Sequence, residues 1–240
     1  IQEVSLKIAD AMGVHGFLNL QLAVKNDQVF IIEANPRSSR TIPFIAKATR
    51  IPLVDLGIRA MLNLDVDVAK FKWRDLDKVA VKGVSFPFKK FPNADSILGP
   101  EMKSTGESMG RGETYDEALL KAMISTGISF PTEGEVFLSL RDKDKEKLLP
   151  DIRRFSEMGF SLTATGGTAD FINSKGIECQ KVKKVHEGRP NCVDRIRSGD
   201  VAIVINTTSG KQSIDASFGI RRSCIDYSIP CLTESDAAQA

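Results

Sequence analysis

Apolar and polar positions change rhythm several times along the chain. Val4, Ile8 and Met12 recur at helical spacing, and Gly13 closes that segment. Residues 17–24 and 29–34 then read as two strands around an Asn26-Asp27 turn, which predicts a hairpin. Asn35-Pro36 ends it, because the residue before a proline is pushed out of helical geometry. Residues 41–64 predict one or two helices, with a break at Ile51-Pro52. A strand is expected over 79–86, a glycine- and proline-rich loop over 88–112, and a helix over 115–126. That helix has Thr114 as N-cap and Gly127 as stop.

Beyond a linker at Pro131-Thr132-Glu133-Gly134 the strands and helices alternate. Strands are expected at 136–140, 160–165, 179–182, 201–206 and 230–232. Helices are expected at 142–158, 168–174, 192–197 and 214–227, with Pro150 marking a kink or a restart in the first of them. Strict alternation predicts a parallel sheet covered on both faces. The fold class is therefore α/β, with one or two domains in 240 residues.

Composition narrows the possibilities. Apolar residues at 42% and charged residues at 27% exclude global disorder. Thirty-three Lys and Arg against thirty-one Asp and Glu leave a net charge of +2, no footprint for nucleic acid. No apolar run reaches the length of a membrane span. Cys179, Cys192, Cys224 and Cys231 form no CxxC, and His15 and His186 are the two histidines. A structural zinc site is not expected, and the thiols point to a reduced, cytoplasmic setting. Ile1-Gln2-Glu3-Val4 lacks an initiator Met and the features of a signal peptide, and reads as a cut inside a longer protein.

Three motifs can carry chemistry. In the first, Gln21 precedes Glu33-Ala34-Asn35-Pro36-Arg37. Glu33 and Asn35 share a strand face, and the apolar run Val29-Phe30-Ile31-Ile32 would hold them rigidly. A three-residue loop, Asn26-Asp27-Gln28, sets Gln21 opposite Glu33; a two-residue loop would put them on opposite faces. Three oxygen donors would suit a hard cation shared with phosphate, and Arg37 could grip the phosphate. The plainer reading is a strand turning polar as it leaves the core. In the second, Thr165-Gly166-Gly167-Thr168 joins a strand to a helix, either as an anion-binding loop or as a tight turn capped by Thr168. In the third, Lys181, Lys183, Lys184 and Arg189 follow the next strand. Lys145 and the Asn206-Thr207-Thr208-Ser209-Gly210 strand end are expected on the same sheet edge, giving a pocket for a phosphorylated ligand. The alternative for the basic run is a solvated loop, and His186 reads as a loop residue.

Together these residues resemble the large subunit of carbamoyl-phosphate synthase. The resemblance runs through Ile32-Glu33-Ala34-Asn35-Pro36-Arg37, Pro87-Phe88-Lys89-Lys90-Phe91-Pro92 and Leu98-Gly99-Pro100-Glu101-Met102-Lys103. It continues through Ser139-Leu140-Arg141-Asp142-Lys143-Asp144-Lys145, Ala164-Thr165-Gly166-Gly167-Thr168, Val185-His186-Glu187-Gly188-Arg189-Pro190 and Asn206-Thr207-Thr208-Ser209-Gly210. It implies a partial ATP-grasp α+β segment, residues 1–127, from the carbamate-phosphorylating half. A doubly wound methylglyoxal-synthase-like allosteric domain, residues 128–240, would follow.

By the same resemblance the parent enzyme is an ATP-dependent ligase. It makes carbamoyl phosphate for pyrimidine and arginine synthesis, with a glutaminase small subunit as partner and with large-subunit self-association. ATP and Mg²⁺ or Mn²⁺ are the implied cofactors, with Gln21, Glu33 and Asn35 on the metal and Arg37 as the catalytic arginine. Lys145, Thr165, Thr168, Lys184, Asn206 and Thr208 match positions that hold a uridine or inosine monophosphate effector, and Asp215 and Ile220 fall in the next stretch of that site. Gly83 and Cys231 replace an acid and a tyrosine that serve ornithine activation in some relatives, although Thr233 matches a third position, so ornithine regulation is not expected. The fragment alone is expected to be inactive. Two rivals are a stand-alone nucleotide-binding module and a methylglyoxal synthase. The second is disfavoured because Arg189 and Ser217 stand where its carboxylate bases would be.

Overall fold

The structure is a computed structural model that describes residues 1–69, 71, 76–99 and 101–240. Pro100, part of the Gly-Pro motif above, lies outside the described residues.

Helix α1, Gln2–Ala11, precedes a hairpin of β1, Asn19–Lys25, and β2, Gln28–Asn35. Lys25 pairs with Gln28, so the loop is the two residues Asn26 and Asp27, both at positive φ (50° and 59°). Paired positive φ values are the mark of a type I′ turn, whose twist matches the strands. This corrects the expected three-residue loop. Gln21 nevertheless pairs with Glu33, because the register shifts between Gln21 and Leu22 and leaves Ile32 as an extra residue. A bulge thus supplies the one-residue offset that the loop does not. A second correction concerns the apolar run. Phe30, Ile31 and Ile32 are exposed, Ile32 by 65%, so the hairpin is not held by a core on either side.

Helices α2, Thr41–Thr49, and α3, Leu53–Met61, are separated at Ile51-Pro52 as the pattern requires. Strand β3, Val79–Ser85, pairs antiparallel with β4, Gly106–Gly112, and α4, Tyr115–Ser125, packs across the pair. The Thr114 side chain caps α4 by accepting from the Glu117 N–H at 3.2 Å. The sequence pattern left β4 as loop because of its glycines. They are there for packing: a Cβ on Gly110 would lie 1.9 Å from the Ala118 carbonyl oxygen, with Ala118 and Ala122 fully buried above it.

The remainder forms a five-stranded, all-parallel sheet: β5, Glu135–Ser139; β6, Ser161–Thr165; β7, Gln180–Val182; β8, Val201–Asn206; and β9, Cys231–Leu232. The spatial order is β7-β6-β5-β8-β9. Helices α5, Asp142–Glu157, and α6, Gly166–Ser174, cover one face, where Leu148, Ile152, Ala169 and Ile172 meet Val136, Leu138 and Ile203. Helices α7, Cys192–Arg197, and α9, Phe218–Tyr227, cover the other, with Ile196, Ile220 and Cys224 against Phe137 and Val204. α10, Ser235–Gln239, closes the described chain against α5. The near-continuous apolar reading of β5 and β8 follows from burial on both faces. α5 runs through Pro150 as one element, neither broken nor restarted. The expected single helix over 214–227 is two, α8, Lys211–Ala216, and α9, with Ser217 between them.

Candidate functional site

The strand order reverses between β5 and β8, so the connections leaving their carboxyl ends run to opposite sides and open a crevice above the sheet. Hydrogen bonds tie these two ends together. The Thr207 N–H donates to the Ser139 carbonyl at 3.0 Å, the Arg141 N–H donates to Thr207 Oγ1 at 3.1 Å, and Arg141 Nη1 donates to the Thr208 carbonyl at 3.0 Å. A cavity of ≈ 460 Å³ lies here, lined by Ser139, Lys143, Lys145, Thr165, Gly167, Thr168, Lys184 and Thr208, with Ser209, Ser213 and Ser217 on the far wall. A second cavity of ≈ 480 Å³ shares Ser139, Thr165, Lys184 and Ser217 with it and extends past His186, Gln212 and Ile220.

Five of the six residues expected to hold an anion, Lys145, Thr165, Thr168, Lys184 and Thr208, line the first cavity. Asn206 does not. It is fully buried at the end of β8, receives a hydrogen bond from Ser217 Oγ at 3.5 Å, and has its Nδ2 without a partner. Ile220 lines the second cavity, whereas Asp215 is exposed and lines neither. Gly166 and Gly167 are not loop residues but the first turn of α6. The N–H groups of that turn, beside Gly167 in the cavity wall, have no partner within the helix, an arrangement chemically suited to an anion. Thr168 is neither a cap nor a free donor. Its hydroxyl, 2% exposed, accepts from the Leu140 N–H at 3.1 Å and reaches the Leu140 carbonyl at 3.4 Å, fastening α6 to the end of β5. Lys145 Nζ lies over the same turn, 2.9 Å from the Gly167 carbonyl and 2.7 Å from Asp142. That hydrogen bond holds the Asp142 carboxyl below its ordinary range.

The basic run divides. Lys181 pairs with Asp170 at 3.1 Å and Arg189 with Asp194, which leaves Lys184 as its member in the cavity wall. Lys184 makes no salt bridge among the described residues. Sequence reasoning assigned no ligand role to Ser139, Lys143 and Ser213, and met Ser217 only as the residue standing where a lyase would carry a carboxylate base. Ser139 ends the first parallel strand and Lys143 follows it, both within reach of the rule that ligands sit at strand carboxyl ends. Ser213 lies within α8 and Ser217 at the break between α8 and α9, a division that the pattern did not show.

The hairpin brings a second group together. Gln21 is paired across from Glu33, and Asn35 Nδ2 donates to Glu33 Oε1. Arg37 stands apart, donating to the Ser38 carbonyl at 3.0 Å and lining a different cavity of ≈ 590 Å³ with His15 and Ile58. Among the described residues no three His, Cys, Asp or Glu side chains cluster as a metal site. The donor set at the hairpin is one carboxylate and two amides, all oxygen-bearing. That fits a hard cation which takes its remaining ligands from phosphate and water. Gly83 faces α4, where a Cβ would lie 2.8 Å from the Ala122 carbonyl oxygen, so an acidic side chain does not fit there without a shift. The four cysteines are free thiols; burial, and secondarily the Glu135 charge, pushes Cys179 up to about 12. Among the described residues no helix is long and apolar enough to cross a membrane.

Comparison with known proteins places these features. Residues 1–68 match the carbamoyl-phosphate synthase L chain, ATP binding domain, and residues 147–233 match the MGS-like domain. The chain is 44% identical over its whole length to the carbamoyl phosphate synthase large chain of Methanoculleus marisnigri, covering 23% of that protein. It is 42% identical over its whole length to that of Myxococcus xanthus, covering 22%. The chain thus spans about a quarter of the length of the relatives it matches. A crystal structure of methylglyoxal synthase from Elizabethkingia anophelis aligns at 21% identity over 46% of this chain and 77% of that one, with a TM-score of 0.36. From end to end, then, the chain resembles the carbamoyl phosphate synthase large chain, an ATP-binding-domain segment joined to an MGS-like domain.

Proposed function

We propose that the chain serves in a carbamoyl phosphate synthase large subunit, an ATP-dependent ligase, and that the cavity at the sheet edge is its effector site for a nucleoside monophosphate. The observation that carries the second part is the gathering of Lys145, Lys184, Thr165, Thr208 and the α6 N-terminus around one cavity. Three strand ends contribute to it, and helix N–H groups and the ammonium groups of Lys145, which is shared with Asp142, and Lys184 favour an anion. The phosphate would sit in the first cavity and the nucleoside in the second, where Val185, Ile220 and Ala216 supply an apolar wall and Gln212 an amide. Residues 128–240 would act as the allosteric unit and residues 1–127 as the tail of the carbamate-phosphorylating unit. Partners would be the glutaminase small subunit and a second large subunit, in the cytoplasm.

In that enzyme Gln21, Glu33 and Asn35 would hold Mg²⁺ or Mn²⁺ on ATP. Held by those three residues, such an ion would supply charge neutralisation for phosphoryl transfer. The bulge at Ile32 keeps Gln21 and Glu33 on one face, and Arg37 would bind an anion from its own loop. The chain by itself is expected to show no carbamate-dependent ATP turnover. A stand-alone binding module would also bind nucleotide without turnover, so activity of the full-length subunit separates the two readings.

The effector reading is tested by calorimetric titration of uridine and inosine monophosphates, with uridine as the phosphate-free control. A charge-assisted hydrogen bond is worth about 1.5–3 kcal/mol. Lys184→Ala should therefore weaken nucleotide binding about ten- to a hundredfold. The melting temperature should stay where it is, since Lys184 is exposed. Uridine binding as tightly as its monophosphate would refute the assignment.

A further inference from the structure

The structure assigns to helix α9 a part that the cavity alone does not reveal: through Arg221 it joins the effector site to the segment 88–95 of the first half of the chain. The inference rests on the effector reading above and names the residues by which that site would be felt elsewhere.

The N-terminal end of α9 is wall of the site. Ser217 lines both cavities and Ile220 the second. One residue on, Arg221 is 2% exposed. Its Nε donates to Asp95 Oδ1 at 2.8 Å and its Nη2 to Asp95 Oδ2, a bidentate pair across 126 residues of sequence. The same Nη2 donates at 2.8 Å to the carbonyl of Ile214, in α8, whose neighbour Ser213 is also cavity wall. One guanidinium therefore holds the effector-side helix and the first half of the chain together. The next residue, Arg222, directs Nη1 to the carbonyls of Phe88, Phe91 and Ala94, at 3.0, 2.9 and 3.4 Å. Lys89 Nζ reaches Ser228 Oγ at 2.9 Å, just past the helix. Five residue pairs thus fasten 88–95 to α9 along its length.

Coupling between sites needs a physically continuous element that both sites bias. α9 meets that description, with the cavity at one end and the 88–95 segment along its side. Arg221 Nη1 is buried without a partner among the described residues, so the guanidinium has an unused donor at this junction. An anion that draws the Ser213–Ser217 wall inward shifts the Ile214 carbonyl, and Arg221 passes the shift to Asp95. Arg221 and Asp95 are in this sense positioning residues; neither lines the first cavity.

Hydrogen exchange on the whole chain, with and without uridine monophosphate, tests this. In the wild type the nucleotide should slow exchange at 165–168 and 211–217, and at 88–95 as well. In Asp95→Asn the protection at 165–168 should remain while that at 88–95 is lost. Without nucleotide, 211–217 should exchange about tenfold faster in Asp95→Asn than in wild type, the size expected for one charged hydrogen bond. Should Asp95→Asn fail to fold, Arg222→Ala releases the 88–94 carbonyls but keeps the buried pair, so the response at Asp95 should persist, and its complete loss would overturn transmission through Arg221. A wild type that protects 165–168 but never 88–95 overturns the coupling and leaves the effector reading standing. No nucleotide response anywhere overturns the effector reading. The coupling is then decided by the nucleotide-free comparison, where unchanged exchange at 211–217 overturns it and the tenfold increase supports it.

Discussion

Thr168 shows how a residue in a binding motif can be structural. Its buried hydroxyl serves the Leu140 backbone, so Thr168→Val leaves the Leu140 N–H without that acceptor. A buried donor stripped of its partner costs about 1–3 kcal/mol. Urea denaturation should show a loss of that size, and nucleotide affinity should fall as well, because α6 loses its tie to β5. Gly110 makes the opposite point, a residue that matters for what it lacks. Gly110→Ala would drive a methyl into the Ala118 carbonyl, which lies 1.9 Å from the Cβ position. Backbone, not a flexible side chain, is in the way, so the expected cost is at or beyond the upper end of the usual ~1–3 kcal/mol for overpacking. A melting temperature equal to wild type would contradict this packing.

At the scale of elements, α9 and the 88–95 segment are held by charge, and so by pH. Burial pushes the Asp95 carboxyl up, but the Arg221 hydrogen bond and charge outweigh it and hold the carboxyl below its ordinary 3.8. A depressed folded-state value means stability that is fully present above 3.8 and lost as the pH falls through the lower, folded value. Acidification from pH 5 until well below 3.8, followed by hydrogen exchange, should release 88–95 from α9 while β5, β6 and β8 stay protected, since their contacts are apolar. Asp95→Asn should remove most of that pH dependence. Loss of the sheet before the segment would argue against it.

On the scale of the whole molecule the two parts differ in how they bury their apolar residues. The core lies in the parallel-sheet half, whereas Phe30, Ile31, Ile32, Ile58 and Met61 are all exposed in the first. An environment-sensitive dye such as ANS should therefore bind the intact chain and bind a fragment from 134 onward much less. Limited proteolysis should leave that fragment, because its strands and helices form one contiguous, buried unit. Rapid digestion of residues 134–240 to small peptides would show that the unit needs the first part.

The sequence by itself determined the parallel half almost completely. Its strands are buried on both faces and alternate with amphipathic helices, so local pattern and tertiary environment agree at each step. It also singled out five residues that line one cavity, because strand ends in such a sheet must share an edge. What it left open depended on contacts distant in the chain. The alignment of Gln21 with Glu33 comes from a bulge at Ile32, which has no sequence signature. Strand β4 is disguised by glycines whose reason is a helix packed above them. The burial of Asn206 and the hydroxyl bond of Thr168 depend on neighbours 11 and 28 residues away, and the Arg221–Asp95 pair on one 126 residues away. Periodicity reports which face of an element is apolar; only the packed chain decides what that face, or a charge beside it, comes to touch.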